Sequence, residues 1–264
     1  DNTLVFHPAA PQGQPAPPAR HIPIEGITDL YLFSPMDLNT ALLHFLGQRH
    51  VCVHLFDYHQ NYTGTFTPRD YLHAGQVLMA QARHVRGPKR RLVLARQFIR
   101  GAAGNMLRNL RYYHNRGKPG LEAPIEAILE LSKRLPAQPD VPSLMGIEGS
   151  LRQHYYTAFE PILGPAWPFG RTRRPPQNEL NALISFLNSL TYAECLRALH
   201  HTQLHSTLSF LHEPGYRRHS LALDLAEVFK PLLADRLIFR LVNRNQITPK
   251  DFEAESGGIL LKPH

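Results

Sequence analysis

Residues 51–85 read VCVHLFDYHQNYTGTFTPRDYLHAGQVLMAQARHV, and the hydrophobic period changes inside this stretch. Val51–Phe56 and Tyr62–Phe66 are short β-branched and aromatic runs parted by the turn residues Asp57 to Asn61, as in a strand pair. After Pro68 the apolar residues recur every three or four positions, and Leu72 to Val85 reads as a helix. The chain therefore reads as α+β: a small N-terminal β-sandwich-like domain over residues 1–70, then a larger all-α domain over 71–264.

The pattern extends in both directions. Upstream, Leu4–Phe6, Ile22–Ile24 and Leu30–Phe33 read as further strands. Pro8 to Pro23, rich in proline, alanine and glutamine, reads as a long hairpin loop between two of them. One helix interrupts the strands, with Asp37 as its cap, Leu38, Leu42, Phe45 and Leu46 on its apolar face, and Gly47 near its end. Downstream, Arg91 to His114, Pro124 to Leu135, Ser143 to Leu163, Asn178 to Leu190, Tyr192 to His200 and Ser220 to Arg240 read as helices.

The 264 residues carry a formal net charge of +8 with histidine neutral, and sixteen histidines add charge below neutrality. Such an excess favours polyanions, nucleic acid before anionic membrane, although an ordinary basic soluble protein has it too. Cys52 and Cys195 form no CxxC pair and no zinc spacing, which fits reduced thiols in a cytoplasmic protein. No apolar run reaches membrane-spanning length. The start, DNTLVFHP, has no signal-peptide character and no initiator methionine, so the chain reads as abbreviated there. Phosphate-binding P-loop, nucleophile-elbow and dinucleotide fingerprints are absent, which removes support for ATP-dependent and nicotinamide chemistry.

The residues left to carry chemistry are dispersed. His212 stands in a loop ahead of a helix that bears Asp224 and Glu227 at i, i+3. Glu148 lies upstream in GIEGSLRQHYY, beside the apolar stripe Leu144, Ile147, Leu151, Tyr155 and Phe159. Carboxylates with an imidazole suit Mg2+ or Mn2+, ions that polarise phosphoryl oxygens. Each residue alone has a plainer reading: Glu148 paired with Arg152 at i+4, Glu227 paired with Lys230, Asp224 on a solvated face, and His212 hydrogen-bonded in its loop. Basic residues cluster at Lys89–Arg91, at Arg171, Arg173 and Arg174, and at Arg217 and Arg218. The last two are the candidate phosphate contacts because they fall between His212 and the carboxylate helix.

Taken in order, several segments resemble one family. DNTLVF, the IPIEGITDLYLFSPMDLNTALLHFLGQR stretch and HLFDYHQNYTGTFTPRD resemble its amino-terminal β domain. GIEGSLRQHYY, RPPQNELNALISFLNSL, and FLHEP followed by SLALDLAEVFKPLLADR resemble its helical catalytic domain. The family is that of the CRISPR-associated integrase/endonucleases of spacer acquisition, the Cas-one family. The resemblance implies a metal-dependent DNA endonuclease/integrase with Glu148, His212 and Glu227 as catalytic metal ligands for Mg2+ or Mn2+. It makes Asp224 auxiliary, and matches Tyr155 to an aromatic beside the catalytic glutamate and Asn181 to the asparagine of the NALxSF stretch. Both are expected to contact DNA.

It also implies a homodimer through the β domains, a Cas-two dimer as partner, and double-stranded DNA as substrate, both captured fragments and CRISPR repeat. Two departures stand out. GAAGN places Ala102 where relatives often carry lysine in GKxxN, and HSTLSFLH replaces a DPxxGFLH stretch, so a DNA contact or loop geometry is expected to differ. Relatives also begin earlier and continue past GGILLKPH, so both ends are expected to be abbreviated. A general branched-DNA repair nuclease and a non-catalytic DNA-binding scaffold are the alternatives.

Overall fold

The structure is a computed structural model that describes residues 2–8, 15–69, 74–170, 172, 175–215, 219–255 and 257–262. The chain forms two compact units: Asp1–Tyr58 with Tyr62–Tyr71, and His59–Asn61 with Leu72–His264. Mixed α+β architecture is what the change of period predicts.

In the first unit β1 (Thr3–Phe6) pairs antiparallel with β2 (Arg20–Pro23), Thr3 facing Pro23 and Phe6 facing Arg20. A second sheet has the order β3–β4–β5, with β3 (Asp29–Leu32) parallel to β4 (Cys52–Phe56) and β4 antiparallel to β5 (Tyr62–Phe66). A parallel pair needs a crossover, and α1 (Thr40–Gln48) is part of it. The cap of α1 is Asn39 rather than Asp37. The Asn39 side chain accepts from the Leu42 amide at 2.8 Å, so the helix starts later than its sequence predicts. Ile24, Leu46, Val51 and Val53 form the core, with Leu4 of one sheet and Leu30, Leu32 and Phe66 of the other against it. The two small sheets and one helix thus share a single apolar centre. Buried His54 lies on the opposite face of β4 from Val53, against the Tyr31 ring, with its ring nitrogens 2.9 Å from Asp29 and from Thr65, which satisfies both polar ends.

The second unit is helical: α2 (Gly75–Arg86), α3 (Pro88–His114), α4 (Glu122–Arg134), α5 (Val141–Thr157), α6 (Phe159–Leu163), α7 (Glu179–His200), α8 (Ser220–Phe229) and α9 (Arg236–Asn243). Its core runs from Ala95, Ile99, Leu110 and Ile128 through Leu144, Leu151 and Phe159 to Ile184 and Phe239. Four expectations change. The two helices expected over 178–200 are the one helix α7, which runs on through Thr191, whose hydroxyl donates back to the Leu187 carbonyl at 2.8 Å. The helix expected over 143–163 breaks into α5 and α6 at Ala158. A hairpin of β6 (Phe252–Glu255) and β7 (Gly258–Leu261) closes the helical unit, where no strand was expected.

The helix expected over 220–240 is also broken, by a π-helix at Pro231–Asp235. Proline has no amide hydrogen to give to the ladder, so the ladder slips there. The Asp235 amide donates to the Lys230 carbonyl, five residues back, at 3.0 Å. Asparagines of α3 take up two neighbouring carbonyls: Asn105 donates to Val228 at 2.9 Å and Asn109 to Pro231 at 2.7 Å. The face of α3 that meets α8 is small. A Cβ on Gly101 would sit 3.2 Å from Val228, and Ala102 is buried. The GAAGN departure therefore lies in this helix contact: Ala102 and Asn105 serve packing and carbonyl pairing.

Candidate metal centre

Glu148 projects from the middle of α5, and Glu227 from α8, one turn before the π-helix. The residue that brings them together is Arg152. Its Nε donates to Glu148 Oε1 at 2.8 Å, and its terminal nitrogen pairs with Glu227 Oε2. Lys230 donates to the other Glu227 oxygen at 2.6 Å. The two plain ion pairs read from the sequence are thus both present, yet Glu227 is no surface charge: it is buried, and Asp224 completely so. Residues at i and i+3 of α8 lie on its inward side because the helix is enclosed there by α3 and α7.

Asp224 explains the loop that carries His212. One carboxylate oxygen accepts the amides of Phe210 and Leu211 at 2.6 and 2.9 Å. The other accepts the amide of His212 at 2.8 Å and meets its Nδ1 at 2.9 Å. A carboxylate oxygen accepts, so Nδ1 donates its proton to Asp224 and Nε2 is the ring nitrogen left for a metal, the arrangement in which imidazoles bind metals. Arg91 grips the same loop from α3, donating to the carbonyls of Phe210 at 2.8 Å and His212 at 3.2 Å and to Glu213 at 2.7 Å. Of the expected basic cluster Lys89–Arg91, this member is spent on the protein itself. Buried Gln81 of α2 fixes the turn before it, with bonds of 2.9 Å to both carbonyls of His205 and Leu208 and from the His205 amide.

The electrostatics separate the two carboxylates. Burial pushes the Glu148 carboxyl up, the Arg152 charge opposes this, and the neighbouring Glu227 charge adds to the rise. Burial acts on Glu227 in the same sense, but Arg152 and Lys230 outweigh it and hold that carboxyl down at about 2. Behind them lies Asp235, buried in the π-helix and raised to about 7, chiefly by burial. The Tyr155 hydroxyl bonds to Asp235 and receives a 2.8 Å bond from Asn109.

Among the described residues, Glu148, His212 and Glu227 do not bring three ligand atoms all within 4.8 Å of one another. Two of the three are joined through Arg152, and the third is oriented independently by Asp224. The donor set of two carboxylates and a properly tautomerised imidazole fits a hard-to-borderline divalent ion such as Mg2+ or Mn2+.

Tyr155 and Asn181 do not reach the surface, which corrects their expected contact with DNA. Tyr155 is enclosed by core aromatics, and Asn181 clamps the loop before α7, donating to the Gly170 carbonyl at 2.7 Å and accepting the Thr172 amide at 3.2 Å. Arg217 and Arg218, like Arg171, Arg173 and Arg174, lie outside the described residues. Sequence reasoning passed over Asn109 and Asp235, and read Arg91 only as one of a basic cluster. The signal for the last was a carboxylate on the apolar side of a helix, four residues after a proline.

The profile of CRISPR associated protein Cas1 matches residues 2–264. The chain belongs to the Cas1 family. It is 43% identical over 263 residues to the CRISPR-associated endonuclease Cas1 of Fusobacterium nucleatum, covering 99% of this chain and 76% of the relative. A CAS1 protein structure from Thermotoga maritima superposes with a TM-score of 0.86 at 35% identity, over 99% of this chain and 80% of that one. A casposase bound to integration product shares the fold at 22% identity, with a TM-score of 0.85 over 99% and 74% of the two chains. Among the described residues, no helix of this Cas1-family chain is long and apolar enough to cross a membrane.

Proposed function

We propose that the chain is a metal-dependent DNA endonuclease/integrase that inserts new spacers into a CRISPR array. The 3′-hydroxyl of a captured duplex attacks a repeat phosphodiester. One P–O bond forms as another breaks, so no nucleotide need be hydrolysed. The observation that carries the reading is the meeting of Glu148 and Glu227, from two different helices, on one cation inside a Cas1-family chain.

Glu148, Glu227 and His212 Nε2 would hold Mg2+ or Mn2+, which supplies Lewis-acid polarisation of the phosphate and stabilises charge on the attacking and leaving oxygens. The protein's own residues do the rest. Asp224 and Arg91 hold the His212 ring in one tautomer and one orientation. Helices α3, α5 and α8 fix the two carboxylates against a packed core, so little reorganisation is needed as substrate arrives. Arg217 and Arg218 are assigned to DNA phosphates. The N-terminal unit is assigned to homodimer contact. A Cas2 dimer is the assigned partner, by likeness to the Cas6-RT-Cas1–Cas2 complex of the same fold.

The test is a half-site integration assay with a short duplex and a repeat-containing target. Glu148→Ala, His212→Ala and Glu227→Ala should retain DNA binding and lose joining. Joining at the wild-type rate by all three variants would overturn the site. Cleavage of branched DNA without joining by the wild type would favour the repair-nuclease reading instead.

A further inference from the structure

The two acidic residues of the site are already neutralised. Glu148 and Glu227 face Arg152 and Lys230, two negative charges against two positive ones, in a place largely closed to water. Both oxygens of Glu227 accept from these cations. A divalent ion arriving at the pair would add two positive charges to a balanced, poorly screened cluster, beside a guanidinium that cannot lose its proton. Repulsion of that kind is relieved if a cation moves away.

A place for it exists. Asp235 is 1% exposed and belongs to the π-helix that follows Glu227 and Lys230. Its Oδ2 has no hydrogen-bond partner among the described residues, an uncommon state for a buried carboxyl oxygen. Its charge and that of Arg152 act on one another: burial raises the Asp235 carboxyl, and Arg152 is the first of the influences opposing that rise.

We propose that Arg152 is a positioning residue that occupies the acidic pair until a metal ion binds, and that it then withdraws from Glu227 toward the vacant oxygen of Asp235. Arg152 thereby keeps the two carboxylates together in the absence of the ion and sets how tightly the ion is held. The inference rests on the reading of Glu148 and Glu227 as metal ligands.

Calorimetric titration of the full chain with MnCl2 tests both, separately. Arg152→Gln keeps hydrogen-bonding capacity and removes the competing charge, so Mn2+ should bind about tenfold or more tightly than to wild type. A merely structural arginine would give the opposite change. Asp235→Asn removes the charged receiving group and should weaken Mn2+ binding several-fold. Glu148→Gln should abolish stoichiometric binding in either background. If wild-type binding is absent or indifferent to Glu148→Gln, the metal reading fails and this inference with it. If binding depends on Glu148 but Arg152→Gln leaves affinity equal or weaker, the inference alone fails. The wild-type chain offers a second measurement that needs no variant to fold for its outcome. Of the arginine Nε–H signals in nitrogen-15 NMR, one belonging to a buried, carboxylate-bonded group should shift on saturation with MgCl2. An unchanged set of buried arginine signals would overturn the proposal.

Discussion

The two halves of the candidate centre hold their ligands by different means. Glu148 and Glu227 stand on helices and are held by side-chain cations, Arg152 and Lys230. His212 stands on a loop and is held by a buried carboxylate that accepts three backbone amides, with Arg91 closing the other side on backbone carbonyls. Ion pairs between side chains can be exchanged for a metal ion. Bonds between a buried carboxylate and successive amides cannot be exchanged without unfolding the loop. The acidic half is therefore built to change partners, and the histidine half to stay as it is.

Breaking the fixed half should have the largest effect. Asp224→Ala strands three amides in the interior and frees the imidazole. It should cost about 3–5 kcal/mol in urea denaturation, the range for removing one partner of a buried charged network. A loss under about 1 kcal/mol would show that the loop is held by something else. Arg91→Ala should follow, with roughly 1–3 kcal/mol lost and integration reduced about 10- to 100-fold through misplacement of His212, as for other partners of metal-binding histidines. Stability and joining assays on the same preparation would separate the two effects. Glu213→Ala removes only the exposed end of the Arg91 contact and should change stability by less than about 0.5 kcal/mol. A larger change would mean that the ion pair, and not the carbonyls, secures the loop.

The exchangeable half has a pH signature. Glu227 is depressed in the folded state, so its stabilisation is complete above the ordinary glutamate range near 4.3 and is lost as pH falls through about 2. Asp235 has the opposite sign. Its folded value of about 7 lies above the unfolded one, so the folded state binds the extra proton and stability declines as pH rises from about 4 to 7. Asp235→Asn should flatten that decline, visible as a thermal midpoint that no longer falls between pH 5 and 7.5. A decline unchanged in the variant would assign it to another group.

The contrast also explains what could be read in advance. The change from period two to period 3.6 near Pro68 marked the passage from the strand-rich unit to the mainly helical one, because periodicity survives any tertiary arrangement. Glu148, His212 and Glu227 stood out as dispersed candidates, and the ordered resemblance gave them a common role. Their plain ion pairs with Arg152 and Lys230 were legible from helical spacing alone. Asp224 reads as a solvated charge because its partners are backbone amides twelve to fourteen residues away, which leave no side-chain pattern. The π-helix was missed since the Val228 and Pro231 carbonyls beside it are bonded by Asn105 and Asn109, over 120 positions earlier. Tyr155 looked like a DNA contact because a tyrosine's sequence does not reveal whether its hydroxyl has a buried partner, here Asn109.

The most direct test of the centre is anomalous diffraction from crystals of the chain soaked in MnCl2. The account predicts one strong manganese peak within coordinating reach of Glu148, Glu227 and His212 Nε2, lost in Glu148→Gln crystals. A manganese peak elsewhere, or one at this place that survives Glu148→Gln, would contradict it.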